Sequence, residues 1–516
     1  MSKFDLTARE FEALPPRSAF AERYRNGAPQ VVWTRLVADL ETAVSAALKL
    51  SDGQPMSCLL ESVEGGAVRG RYSIIGLAPD IVWRAYGARA EINQQPQQDL
   101  AAFTVEDLPT LQSLRALLAR SRIELPSELP PIAAGVIGYM GYDTVRLIEH
   151  LPNEPPDALA VPDSVFVRPT LMVVFDAVKD EMMVVTPVYP RPDLDAQSAY
   201  TQAVERLRQV VAALDEPLPH ATTMSGIALA LPEPVSNTPP HQFMAMVDRA
   251  KELIAAGDIF QVVLSQRYAA PFTLPSFALY RALRRTNPSP FLFHLDFGAF
   301  ALVGSSPEIL VRVRDKEVTI RPLAGTRRRG ATAEEDKALE RELLADPKER
   351  AEHLMLLDLG RNDVGRVAEI GSMRVTESFE IERYSHVMHI VSHVVGRLDK
   401  RCDVVDALMA GFPAGTLSGA PKVRAMEIID ELEKEKRGPY GGCVGYFSAD
   451  GEMDSCIVLR TALVKDGTIY VQAGAGIVAD SDPAAEQQEC LYKARALFKA
   501  AEEAVRFAER TRRGNR

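Results

Sequence analysis

Short apolar runs separated by turn signals dominate the chain from Val31 to about Asp215. Leu171-Met172-Val173-Val174-Phe175 and Met182-Met183-Val184-Val185 bracket Asp180-Glu181, which predicts the two strands of a hairpin. This half reads as rich in sheet. Between Glu216 and Pro240 the pattern lapses into Pro217, Pro219, Pro232, Pro234, Pro239 and Pro240, the composition of a linker. Beyond it Phe243, Met246, Val247, Ala250, Leu253 and Ile254 recur at helical spacing, Gly257 is placed to end that helix, and a strand from Ile259 to Leu264 follows. Thr332-x-x-Glu335 and Asp346-Pro347-x-Glu349 read as helix starts, and the second helix carries Glu349, Glu352, His353 and Leu356 along one side. A last helix from Asp482-Pro483 groups Glu486, Glu489 and Lys493 opposite Leu491, Ala494 and Phe498. The chain thus divides into an extension (1–30), an N-terminal region (31–215), a Pro-rich linker (216–240), a C-terminal region (241–507) and a basic tail (508–516).

Composition narrows the function classes. The 516 residues are 47% hydrophobic and 25% charged, an ordinary globular balance that fits two or three modules or one large intertwined fold. A net charge of −11 provides no general positive field for nucleic acid or an anionic membrane, so a small anionic substrate needs local cations or a metal. The runs Arg327-Arg328-Arg329 and Arg510, Arg512, Arg513, Arg516 read as solvated faces. Five dispersed cysteines suggest neither a disulfide framework nor a zinc site, and a reducing cytoplasm is the expected compartment. Acids follow Met1-Ser2-Lys3-Phe4 at once and no run of 18 apolar residues occurs, so neither export nor a membrane span is expected.

Several common chemistries fail on spacing. Gly415-Thr416-Leu417-Ser418-Gly419-Ala420-Pro421-Lys422 misplaces its lysine for a P-loop, and Gly304-Ser305-Ser306-Pro307-Glu308 is no nucleophile elbow. Gly474-Ala475-Gly476 follows a strand, Thr468 to Gln472, yet lacks the βαβ unit of a dinucleotide site. What remains is a set of polar residues at strand ends and Gly-rich turns.

Those turns resemble one family. Gly257-Asp258-Ile259-Phe260-Gln261-Val262-Val263, GSSPE ending at Glu308, RPLAGTRRRG from Arg321, AEHLMLLDLGRND from Ala351 and AGTLSGAPKVRAM from Ala414 are similar to the chorismate-utilising enzymes, most closely to anthranilate synthase component I subunits. Leu59-Leu60-Glu61-Ser62, Gly70-Arg71-Tyr72-Ser73 and Gly138-Tyr139-Met140-Gly141-Tyr142-Asp143 extend the likeness over nearly the whole chain. The resemblance implies an α+β fold: two large antiparallel sheets packed face to face, helices outside, with the site in a cleft between them.

It also implies roles. Relatives that add water to chorismate carry a lysine at the Gln261 position, and a neutral amide favours ammonia instead. Aminodeoxychorismate synthases carry a lysine where this chain has Ala324, so amination at C2 is favoured. Glu352 and Glu489 match the magnesium ligands. Gly325, Thr326, Tyr440, Arg460, Gly474, Ala475, Gly476 and Lys493 match positions that hold the substrate, Glu308 the acid for the leaving hydroxyl, and His389 the acid-base group of pyruvate elimination, with Thr416 lining the site. Glu61 and Ser62, with Asn287, Pro288, Ser289, Pro290, Phe291 and Leu292, match a tryptophan feedback pocket.

Taken alone, Gln261 reads as an ordinary polar strand residue, His389 as a core histidine no more eligible than His386 or His393, and Lys493 as the salt-bridge mate of Glu489. The surrounding motifs select them; Arg71, Asn362 and Asp363 read as structural. No cysteine lies in a glutaminase-type turn, so ammonia is expected from a separate glutamine amidotransferase subunit, making a heteromer. The alternatives are an aminodeoxychorismate synthase component I and a non-catalytic tryptophan sensor.

Overall fold

A computed structural model of the chain describes residues 12–51, 54–64, 68–218, 232–384 and 387–514. Residues 1–11 of the N-terminal extension, 219–231 of the Pro-rich linker, His386 and the side chains of the basic tail lie outside the described residues.

Among the described residues every strand pairing is antiparallel, and the strands form two layers joined by two long strands. The first layer runs Gln30–Val37, Glu181–Val188, the end of Ser164–Asp176, the start of Val68–Tyr86, Ser57–Glu64, Phe291–Asp296, Phe300–Ser306, Thr461–Lys465, Thr468–Ile477 and Gln261–Pro271. The second runs Arg89–Asn93, the other halves of Val68–Tyr86 and Ser164–Asp176, Gly135–Met140, Cys443–Ser448, Met453–Ile457, Ile309–Arg314, Glu317–Ile320 and Val387–Arg397. Leu323–Arg328 and Arg374–Arg383 flank the last of these. The long strands change layer where their register slips between Pro79 and Ile81, next to Ala78 with φ +48°.

Side-chain alternation explains the layering. Along Ser164–Asp176, Val165, Val167, Met172 and Val174 join an inner core with Ile137, Tyr139, Phe293 and Leu302, contributed by both layers. The intervening Phe166 packs with Phe243, Leu357 and Leu408 outside the second layer, while Val173 and Phe175 pack with Leu207, Leu283 and Leu497 outside the first. Sheets face to face with helices outside are therefore what the chain adopts. The halves on either side of the linker are interleaved: Phe291–Asp296 lies between Ser57–Glu64 and Phe300–Ser306, and Cys443–Ser448 pairs with Gly135–Met140.

The hairpin at Asp180 forms as its pattern predicts, with Phe175 opposite Met182. Thr332 caps a helix through Glu335 N–H, and Asp346 caps the next through Lys348 and Glu349 N–H. Two strands differ from expectation. The one expected from Ile259 to Leu264 spans Gln261–Pro271, because Phe260 N–H is taken by Ala420 O and the pairing partner continues to Thr468. That partner spans Thr468–Ile477, so Gly474, Ala475 and Gly476 lie inside a strand rather than after one, which removes the dinucleotide reading.

One buried ion pair ties these parts together. Arg437 donates to Glu433 Oε1 (2.6 Å) and Oε2 (2.9 Å), Leu417 O (2.6 Å) and Val263 O (2.6 Å), while Glu433 Oε1 accepts from Ser265 N–H (2.8 Å) and Oγ (2.9 Å). The two side chains are 1% and 4% exposed. Removing one partner strands a buried charge, so Arg437→Met is expected to lower unfolding free energy by about 3–5 kcal/mol, while Arg437→Met with Glu433→Leu recovers much of it. Urea midpoints of the single and double variants measure this; a harmless single substitution would show the pair to be dispensable.

Candidate functional site

The last strands of the two layers, Gln261–Pro271 and Val387–Arg397, bound the region where the motif residues gather. Gln261 opens its strand, buried, and donates from Nε2 to Glu352 Oε1 at 3.3 Å, which fixes the orientation of the amide. Its Oε1 is buried without a hydrogen-bond partner. Gly476 faces it so closely that a Cβ there would come within 2.7 Å of Nε2, so a side chain at this position would displace the amide from Glu352.

Glu308 is buried at the end of Phe300–Ser306, and Thr416 Oγ1 donates to its carboxyl at 3.2 and 3.4 Å. Burial pushes the Glu308 carboxyl up to about 8, against the opposing influence of Thr416, Arg321 and Arg460. It is thus a protonated acid at neutral pH, the state a proton donor requires. Arg460, at φ +45°, has no ion-pair partner among the described residues; burial lowers its pKa, and one guanidinium nitrogen lies 3.5 Å from Ser289 Oγ.

His389 Nδ1 lies 3.1 Å from Gly325 O and 3.0 Å from Thr326 Oγ1. A carbonyl only accepts, so Nδ1 carries the proton and Nε2 keeps its lone pair. Burial pushes His389 down to about 4, with Arg460 adding to the effect, so the ring is neutral. The turn that holds it depends on Gly325, whose φ of +74° disfavours any side chain and where a Cβ would also stand 3.2 Å from Glu349 Oε2. Ala324 is buried opposite Ile390.

Glu352 and Glu489, 137 positions apart in sequence, interact electrostatically: burial first, then Glu349 and Glu489, hold the Glu352 carboxyl above its ordinary value. Glu489 is paired with Lys493 at 2.7 Å, and Lys493 donates to Gly474 O at 2.9 Å. No group of three or more His, Cys, Asp or Glu side chains is arranged as a metal cage among the described residues. Two carboxylates that repel one another fit Mg²⁺, which keeps several waters and takes few protein oxygens. Tyr440, buried, has its hydroxyl against Gly474, so that glycine's backbone serves Tyr440 and Lys493. Ala475 turns its methyl into the core, leaving only its backbone available to a ligand.

The segments read as a feedback pocket lie side by side: Ser62 opposes Phe291 and Glu61 opposes Leu292. Glu61 is bound by Tyr280 and by Arg284 at 2.6 and 3.0 Å, and Ser62 donates to Tyr72 O at 3.1 Å. Motif reading missed Tyr384, edge-on to His389 at 5.5 Å, and the Glu433–Arg437 pair, whose i,i+4 spacing is common on solvated surfaces and does not reveal its burial. Glu349 and Glu486, which helical spacing already grouped with Glu352 and Glu489, sit one helical turn before them.

A model of the chorismate binding enzymes matches residues 78–499. Anthranilate synthase component 1 of Cereibacter sphaeroides is 57% identical over 496 residues, 96% of this chain and 99% of that protein. The same component of Thermus thermophilus is 48% identical over 90% of this chain and 96% of its own. Among solved structures, anthranilate synthase component I from Streptococcus pneumoniae TIGR4 superposes with a TM-score of 0.72 at 40% identity, covering 83% of this chain and 92% of that one. A menaquinone-specific isochorismate synthase from Escherichia coli, 20% identical with a TM-score of 0.68, shares the fold over 94% of this chain and 99% of its own.

The state of Glu308 has a stability signature. Folded, it keeps its proton up to about pH 8; unfolded, it ionises near 4.5. The folded state thus holds the extra proton between these values, so its contribution is fully present below 4.5 and is lost as pH rises through 8. Glu308→Gln should flatten that decline: in urea unfolding at about pH 5 and about pH 8, wild type should lose more stability across the interval than the variant. Equal losses would mean Glu308 ionises normally.

Proposed function

The chain belongs to the chorismate binding enzyme family, and from that premise we propose that it is the chorismate-converting component of an anthranilate synthase. Ammonia adds at C2 of chorismate while the C4 hydroxyl leaves, giving 2-amino-2-deoxyisochorismate; loss of pyruvate then aromatises the ring to anthranilate, at the start of tryptophan biosynthesis. The observation that carries this reading is Gln261. A neutral amide with an unpaired, buried Oε1 offers an acceptor to the N–H of ammonia and cannot deprotonate water.

The other residues take complementary parts. Glu308 gives its proton to the departing hydroxyl, and Thr416 holds that carboxyl in place. The free Nε2 of His389 accepts a proton as pyruvate leaves, with Nδ1 anchored on Gly325 O. Arg460, buried and without a carboxylate partner, meets a substrate carboxylate, assisted by Thr326, Tyr440, Lys493 and the Gly474–Gly476 backbone. Glu352 and Glu489 would hold Mg²⁺, which when bound neutralises substrate carboxylate charge and relieves the repulsion at Glu352. Ala324 favours this reading over aminodeoxychorismate synthase, because alanine supplies no amine to the ring. The intact set Gln261, Glu308, Glu352, His389 and Glu489 likewise favours an enzyme over a silent sensor.

We assign ammonia supply to a glutamine amidotransferase subunit, in a cytoplasmic heteromer, and tryptophan as a feedback inhibitor bound at Glu61, Ser62 and the Asn287–Leu292 segment. No helix among the described residues is long and apolar enough to cross a membrane.

Mixing the purified chain with chorismate, Mg²⁺ and an ammonium salt should give anthranilate fluorescence that EDTA abolishes. Isochorismate or aminodeoxychorismate in the product analysis would mean that Gln261 and Ala324 do not select the reaction, and no product at all would restore the sensor. Glu308→Gln should lower kcat by about 10²-fold or more with little change in KM. Wild-type kcat should fall above about pH 8 as Glu308 loses its proton. Glutamine alone should support no turnover, and tryptophan should inhibit; full activity at high tryptophan would remove the feedback assignment.

A further inference from the structure

Behind Glu308 lies a small cavity, partly open to solvent and with about 30 Å³ of space for water centres, that Gln261, Glu352, His389 and Arg460 do not line. Its walls are mostly apolar, from Leu310, Ile320, Leu356 and Leu359, but four polar side chains face it: Glu308, Thr416, Arg321 and Asp363. Asp363 is 4% exposed. Its Oδ2 accepts from Lys422 at 2.9 Å, while Oδ1 is buried with no hydrogen-bond partner. A buried carboxylate oxygen without a hydrogen bond is strongly disfavoured, so a donor is expected there. Water is the donor that fits: at roughly 10–15 Å³ of centre volume per molecule the cavity takes about two waters, and Glu308, Thr416, Arg321 and Asp363 supply the polar contacts that ordered water needs.

Resting on the reading of Glu308 as the acid of the proposed reaction, a proton problem gives this cavity a task. In the first step the O–H bond of Glu308 breaks, a new O–H bond forms on the C4 oxygen, and one water leaves. Glu308 is then a carboxylate. The compensating proton is released from the nitrogen bonded at C2, on the side of Gln261, whose amide cannot relay it. Glu308 must be reloaded from elsewhere.

We propose that the cavity behind Glu308 is a water chamber, anchored on Asp363, that reloads the Glu308 proton and receives the water formed from the leaving hydroxyl. A chamber water passes a proton to Glu308 and is itself reprotonated through the chain of waters from bulk solvent, so each cycle balances. Asp363 is a positioning residue, holding that chain without touching substrate. The charged groups facing these carboxyls are Arg321 and Arg460 for Glu308, and Lys422 and Arg366 for Asp363.

Two variants test this. Asp363→Asn removes the anchoring charge. Gly360→Val fills the chamber without touching any charge: a Cβ at Gly360 meets nothing closer than Ile320 at 3.5 Å, and valine is no worse in a helix than glycine. In the ammonium assay both should lower kcat about tenfold with the KM for chorismate little changed, and should raise the solvent deuterium isotope effect on kcat. A high-resolution crystal structure of the wild-type chain should show water on Asp363 Oδ1 and in line to Glu308. A dry chamber, or wild-type kcat in Gly360→Val, overturns the proposal. If wild type makes no anthranilate, the assigned function fails instead, and the ordered waters alone decide the chamber.

Discussion

The buried pair of Glu433 and Arg437 is the constraint on which the site geometry depends. Its guanidinium reaches the carbonyls of Val263, two residues past Gln261, and of Leu417, next to Thr416. It also lies over the rings of Tyr142, at 4.7 Å, and Tyr440, at 5.7 Å. Four stretches of chain, around Tyr142, Val263, Leu417 and residues 433–440, thus meet at one cation. A dry ion pair contributes little net stability, because desolvation cancels most of its attraction. It does make alternatives costly: any rearrangement that strands one charge loses several hydrogen bonds with no water to replace them. Uniqueness of geometry, more than energy, is what the pair supplies to the strand of Gln261 and the turn of Thr416.

The same low dielectric sets the charge pattern around the cleft. A chain with a net charge of −11 must accept a dianion, and it does so by removing negative charge locally. Burial leaves Glu308 protonated, Lys493 pairs with Glu489, and Arg327 donates to Glu349 at 2.9 Å as well as to Asp346 and Glu342. Arg460 remains a buried cation with no ion-pair partner among the described residues, within reach of Glu308 and Tyr384 only at longer range, and His389 stays neutral beside it. Burial thus leaves a carboxyl and an imidazole both neutral in the same cleft, the states that the proposed acid and base require.

What could be read from the sequence was local or motif-borne. The Asp180 hairpin and the caps at Thr332 and Asp346 follow from side chains acting within a few residues of themselves. The layer change of Val68–Tyr86 could not be read, because a continuous run of β-forming residues looks the same whether it serves one sheet or two. Gly474-Ala475-Gly476 looked like a turn because glycine usually marks one; here small residues are needed inside a strand, since Gln261 packs against Gly476. Arg437, Tyr384 and Asp363 act through partners distant in sequence or through a cavity, and neither leaves a periodic signal. Asp363 was read as structural, which its bond to Lys422 supports and its unpaired oxygen does not fully explain.

The interleaving of the two halves bears on regulation. Phe291–Asp296 pairs with the strand of Glu61 and Ser62 on one edge and with Phe300–Ser306 on the other, and the latter runs directly into Glu308. Ser305 donates from Oγ to Asn287 O at 2.5 Å and from its N–H to Arg460 O at 3.1 Å, while Ser289 Oγ stands beside the Arg460 guanidinium. The turn assigned to tryptophan and the cation assigned to chorismate are therefore held by the same two serines. Arg460 itself sits at a positive φ, a backbone state that persists only while its surroundings hold it. A ligand that repositions Asn287–Ser289 need not reach the catalytic acid to silence it. Under the proposed assignments, moving Arg460 away from the substrate carboxylate is enough, because Lys493, the other cation assigned to the substrate, is already engaged by Glu489 and Gly474 O.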